Sequence, residues 1–133
     1  MLIQEAVDDI QKMFMDVFSH EIYWESVQKD RDTTEDPWAS ASIRHAIGRQ
    51  QSLGGIGGRD FQRIGTLIIA IYVPGGKGLQ TAYELARISA NAYEGITSPN
   101  GVWFRDVRIQ EIGRDGNYFQ INVLAEFEYY ETK

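Results

Sequence analysis

The stretch RDFQRIGTLIIAIYV, Arg59 to Val73, constrains the fold of this chain more than any other. It starts polar and ends apolar at every position, as a strand does when it leaves solvent and enters the centre of a covered sheet. Its apolar run, Leu67 to Val73, is far shorter than the roughly twenty residues needed to cross a bilayer. The chain therefore needs further strands to pair with this one and helices to cover them.

Both are legible. WASASIRHAIGRQQ, from Trp38, is compatible with alternation, placing Ala39, Ala41, Ile43, His45 and Ile47 on one side and Trp38, Ser40, Ser42 and Arg44 on the other. EIYWESV, Glu21 to Val27, is a short aromatic strand that leads into the polar loop QKDRDTTEDP. VWFRDVRIQEIG and YFQINVLAEFEYYE read as two more strands joined by RDGN, whose Asp115-Gly116 pair is a strong hairpin signal. At the amino terminus, Leu2, Ile3, Ala6, Val7, Ile10, Met13, Phe14, Val17 and Phe18 recur at helical steps between polar residues, giving one buried face. LQTAYELARISANAYEG follows the break PGGKG as a second helix, with Gly95 where a C-terminal glycine belongs. The order is helix, three strands, helix, two strands, in one domain spanning 1–133.

Composition removes several function classes. The net charge of −6 argues against a general nucleic-acid binder, whose affinity is built from lysine and arginine. With no cysteine there is no disulfide, thiolate nucleophile or cysteine-based metal site. The start MLIQEAVDDIQKMF carries acids inside its apolar pattern, unlike a secretory signal, so a soluble, intracellularly made protein is expected.

Four glycines in five residues, Gly54, Gly55, Gly57 and Gly58, raise the question of a phosphate cradle. Such loops bind phosphate where backbone amides converge at a helix start, and here strand-like runs lie on both sides. Asp60 also stands where the third glycine of G-x-G-x-x-G belongs, so the stretch reads as a long hairpin tip. PGGKG lacks the Ser or Thr that follows lysine in a Walker loop. His20 and His45 lie in unrelated contexts, and the pairs Asp8-Asp9, Glu35-Asp36 and Glu126-Glu128 are spaced like solvated faces. Ser40, Ser42 and Ser52 sit in no nucleophile elbow. No catalytic, cofactor-binding or metal-ligating residue is expected. Trp24, Trp38, Trp103, Tyr129 and Tyr130, with Arg105 and Arg108, are types enriched at protein interfaces, although aromatics in a small sheet protein are mostly core.

Taken in order, SLGGIGGRDFQRIGTLIIAIYVPGGKG, a helix, and GVWFRDVRIQEIGRDGNYFQINVLAEFEYY resemble the tail-terminator-like proteins of long-tailed bacteriophages, relatives of the lambda-type tail terminator. The resemblance covers nearly the whole chain and lies in order, length and glycine placement. It implies an α+β fold, one mixed or antiparallel sheet of about five strands flanked by two helices, in a subunit that forms a homohexameric ring. Such a ring caps the tail tube at its head-proximal end, stops tube polymerisation and offers a surface to the head-side connector, with no cofactor and no enzymatic role. Assembly would take place in the host cytoplasm, and DNA would pass through without specific binding.

The expected contact residues are Gly54, Gly55, Gly57, Gly58, Arg59, Phe61 and Arg63, with the arginines and the phenylalanine anchoring a neighbouring subunit, the tube or the head-side partner. ASAS, Ala39 to Ser42, is small and polar for a central strand, which points to an edge or a subunit contact. Two other readings compete: a head-completion ring of the neck, and a small ligand-binding or host-interaction domain.

Overall fold

The computed structural model describes residues 2–24, 36–50, 55, 58–75, 78–116 and 118–132. Its elements are α1 (Ile3–Val17), β1 (Glu21–Trp24), β2 (Trp38–Gln50), β3 (Asp60–Pro74), α2 (Leu79–Asn91), β4 (Trp103–Asp115) and β5 (Tyr118–Thr132). The strands form one open sheet in the order β1-β2-β3-β5-β4. β1 runs parallel to β2 and the other neighbours are antiparallel, so the fold is α+β with a mixed sheet and two helices, as the resemblance implies.

β3 takes the central place its composition demands. Gly65, Leu67, Ile69, Ile71 and Val73 point to one face and are buried. Their partners Phe127, Ala125, Val123, Ile121 and Phe119 on β5 continue that face. On β2, Ala39 and Ala41 lie opposite Ile71 and Ile69. Ala6, Ile10 and Phe14 of α1, and Ala82, Leu85, Ala86 and Ala90 of α2, close the core over it. The small alanines let the helices approach the large aliphatic side chains of β3 at interior packing density.

Polar ties fix α1 to the turn that follows α2 and to the 97–102 loop. The Tyr93 hydroxyl donates to the Ile10 carbonyl at 2.9 Å, and burial raises its pKa far above that of a free tyrosine. Asp9, read from its neighbour as a solvated acid, is buried instead. It accepts from Ser98 Oγ at 2.6 Å, from the Asn100 backbone N–H at 2.9 Å and from Asn100 Nδ2 at 2.8 Å. A buried carboxylate needs such donors, since its desolvation would otherwise be uncompensated.

Three expectations are corrected. Among the described residues both helices lie on one face of the sheet, so the second apolar row of β3, with Ile68, Ala70 and Tyr72, is half-buried on the other, helix-free face. There the strands protect themselves: the Trp38 ring stacks on Tyr72 at 4.1 Å, with Tyr23 and Tyr118 edge-on at 5.6 and 6.2 Å. Next, Ala39–Ala41 lie between β1 and β3 and not at an edge. Their smallness serves the helix contact on one side and leaves Ser40 facing the helix-free side. Finally, α2 stops at Asn91, and turns carry the chain to Gly95, whose φ of 73° supplies the left-handed residue. The hairpin at Asp115-Gly116 is present, with Gly116 at φ 62°.

Candidate interface site

The expected contact residues fall at the end of the sheet where β2, β3 and β5 run side by side, to Gln50, Asp60 and Thr132. The segment leading from the glycine tip is thus a three-stranded ribbon, since β5 accompanies β3 over its whole length. Gly55 and Gly58 are exposed and joined by a bond from the Gly58 N–H to the Gly55 carbonyl at 3.0 Å. Gly54 and Gly57 lie outside the described residues, as does most of the loop from Gln28 to Asp36.

Phe61 and Arg63 share the helix-side face with Gly65, because strand side chains alternate. Arg63 stands between Gly48 on β2 and Tyr129 on β5. Its Nε and Nη2 donate to Glu131 Oε1 at 3.1 and 2.8 Å, and the guanidinium lies 5.4 Å from the Phe61 ring centroid. The Glu131 side chain is 5% exposed and that of Arg63 19%. A Cβ at position 48 would run into the Arg63 guanidinium, so the glycine makes the room in which the ion pair lies. Arg59 is half-buried, and its Nε makes no hydrogen bond among the described residues.

His45 completes the cluster. Its Nε2 lies 2.6 Å from the Tyr129 hydroxyl, and the Phe127 and Tyr129 rings meet its ring edge-on at 5.2 and 5.8 Å. Partial burial and the nearby Arg63 charge lower the His45 pKa against the opposing pull of Glu131. Burial, aided by the Glu131 charge, pushes the Tyr129 hydroxyl up to about 12. A neutral imidazole and a protonated phenol suit each other, with the hydroxyl donating to Nε2. These four side chains tie three strands together.

On the helix-free face of the same end, Gln62 Nε2 donates to Glu128, and Arg105 Nη1 approaches the same carboxylate at 3.7 Å. Trp103 and Tyr130 pack over each other at 5.6 Å. Glu128 is buried, so the Glu126-Glu128 pair is only half a solvated face. Sequence reasoning missed Glu128, Tyr129 and Glu131 as partners of the arm because each joins it across the β3–β5 register. The alternation in EFEYYE is visible, whereas the pairing that brings it against Arg63 is not.

Among the described residues no cluster of three or more His, Asp or Glu side chains could hold a metal ion. Phe61 and Arg63, expected to reach for a partner, are brought together by the fold. Arg63 is already engaged, while Gly55 and Gly58 are exposed and Arg59 is half-buried with its Nε out of water.

No protein-family model matches the sequence, and no curated protein matches it. A solved structure is similar over the full length, with a TM-score of 0.70 and 13% identity, covering 100% of this chain and 98% of the other. At that identity the likeness is one of fold: the same helices and sheet are reached from a largely different sequence.

Proposed function

We propose that this chain is a structural subunit of a phage tail, a tail terminator that assembles into a six-membered ring at the head-proximal end of the tube. The resemblance in element order and glycine placement supports the reading. The observation that carries it is the ribbon of β2, β3 and β5, tied together by Arg63–Glu131 and His45–Tyr129, with Gly55 and Gly58 exposed beyond it. A ribbon whose strands are tied to one another and which ends at the exposed Gly55 and Gly58 suits repeated contact with a tube or a neighbour, because little side-chain ordering has to accompany the contact. The ring would stop tube growth by occupying the end on which further tube subunits stack, and its other face would receive the head-side connector.

The test is mass by light scattering and negative-stain imaging, alone and with tubes that lack their end protein. Closed rings seated on one end of the tubes are the expected result. Binding to filled heads and not to tubes would move the protein to the neck as a head-completion ring. A monomer that ignores tubes and heads alike would refute a place in the virion.

A further inference from the structure

Asn100 is followed by Gly101, whereas the other asparagines, Asn91, Asn117 and Asn122, precede Ala92, Tyr118 and Val123. An Asn-Gly pair carries chemistry of its own. The glycine nitrogen loses its proton and attacks the asparagine Cγ, a C–N bond closes a succinimide, and ammonia leaves with the side-chain nitrogen. Water then opens the ring to aspartate or isoaspartate. Glycine favours the attack because no Cβ keeps its nitrogen from the side chain. Asn100 is exposed to the water this needs.

The fold holds both reacting groups off that path. The Gly101 N–H donates to the Ser98 carbonyl at 3.0 Å, which engages the nitrogen that would attack. Asn100 Nδ2 donates to Asp9 Oδ1 at 2.8 Å and the Asn100 backbone N–H to Asp9 Oδ2 at 2.9 Å, so the side-chain amide is fixed toward α1. Ser98 braces the loop from inside. Its Oγ donates to Asp9 Oδ2 at 2.6 Å and accepts from the Val102 N–H at 2.9 Å, and its backbone N–H donates to the Val102 carbonyl at 2.7 Å. Asp9 and Ser98 are buried, where such bonds are stronger than in water.

We propose that Asn100 is a site of spontaneous deamidation that Asp9 holds shut, and that the reaction, once it occurs, releases the 97–102 loop from α1 for good. The reaction proceeds while the loop is open, so its rate follows how often Asp9 lets go. The product then undoes the tie. The Nδ2 donor becomes a carboxylate oxygen opposite Asp9 Oδ1, and two ionised carboxylates at that distance repel. Isoaspartate also adds a carbon to the main chain beside the buried Val102. The Tyr93 hydroxyl still holds the Ile10 carbonyl, so α1 loosens at this loop while staying over the core.

Two measurements test this. The chain is kept in mildly alkaline buffer, folded and in urea, and loss of the Asn100 amide is followed by peptide mass spectrometry. The folded chain should react at least about tenfold more slowly than the unfolded one, and Asp9→Asn should react faster than the wild type. Melting temperatures of Asn100→Asp, Asp9→Asn and the double variant read the consequence. Asn100→Asp should lower Tm by about 5 °C or more. The double variant exchanges amide and acid: position 9 keeps an oxygen for Ser98 Oγ and the backbone N–H, and turns its NH2 to the carboxylate at position 100. It should recover most of the loss. Equal rates in the folded and unfolded chain, a rate in Asp9→Asn no faster than in the wild type, an unchanged Tm in Asn100→Asp, or the same penalty for Asn100→Asp in both backgrounds overturns the proposal. Should Asp9→Asn fail to fold, the wild-type rates and Asn100→Asp alone decide it.

Discussion

Replacing Arg63 with alanine asks whether this side chain is spent inside the fold or kept for a partner. Two N–H groups meet one carboxylate oxygen at 3.1 and 2.8 Å, and the acid is 5% exposed against 19% for the guanidinium-bearing chain. Breaking a fully buried pair costs about 3–5 kcal/mol, because the remaining charge is stranded. An exposed pair contributes roughly 0–1 kcal/mol. With a fifth of Arg63 in water, the loss expected for Arg63→Ala is about 2–3 kcal/mol. For a chain of this size that lowers Tm by roughly 7–12 °C.

Urea denaturation followed by circular dichroism measures the loss. The variants Arg63→Ala, Glu131→Gln and the double change Arg63→Met with Glu131→Met complete the comparison. The double variant should recover part of the deficit, since it leaves no buried charge behind. A loss under about 0.5 kcal/mol for Arg63→Ala, the range of ordinary surface changes, would refute the internal role and return Arg63 to the contact surface.

Gly65→Ala gains about 0.5–1 kcal/mol from the chain's reduced unfolded freedom, but the new Cβ would press into the Arg44 carbonyl oxygen and the Phe127 ring. Overpacking of this kind costs roughly 1–3 kcal/mol or more, so a net loss of about 2 kcal/mol is expected in chemical denaturation, and unchanged stability would mean that Phe127 does not lie over this glycine. For His45 the folded pKa is lowered from 6.5, so the unfolded chain takes up the proton first. Its stabilising contribution is therefore complete above pH 6.5 and is lost as pH falls through the folded value. The fall in Tm between pH 7 and pH 5 should be larger in the wild type than in His45→Gln, and equal falls would show that the imidazole does not sense its surroundings.

The element order was legible because each element announces itself locally. The period of α1, the apolar end of β3, the Asp115-Gly116 turn and Gly95 all depend on residues close in sequence. What escaped depends on register and layering. Nothing in LIIAIYV distinguishes a strand covered by helices on both faces from one whose second face is capped by Trp38, Tyr72, Tyr23 and Tyr118. Asp9 and Glu128 read as surface acids, and Glu131 drew no reading, because their partners stand 89 to 91, 66 and 68 positions away. For the candidate site the residue types were visible at Phe61 and Arg63, while the strand that engages Arg63 was not.

The placement of charge bears on what the acidic composition can mean for a ring. A net charge of −6 suggests a channel that repels DNA, provided that the surplus faces the channel. Residues 37–133, which hold β2, β3, β4, β5 and α2, are close to neutral in sum, and several of their acids are neutralised where they stand: Glu131 by Arg63, Glu128 by Arg105. The surplus belongs to the first 36 residues, and among the described residues it stands on α1 and β1, where Glu5, Asp8, Asp16 and Glu21 are exposed against Lys12. The acidic pI therefore bears on the passage of DNA only through where α1 stands in a ring: an α1 that lines the opening repels DNA, and one on the rim does not.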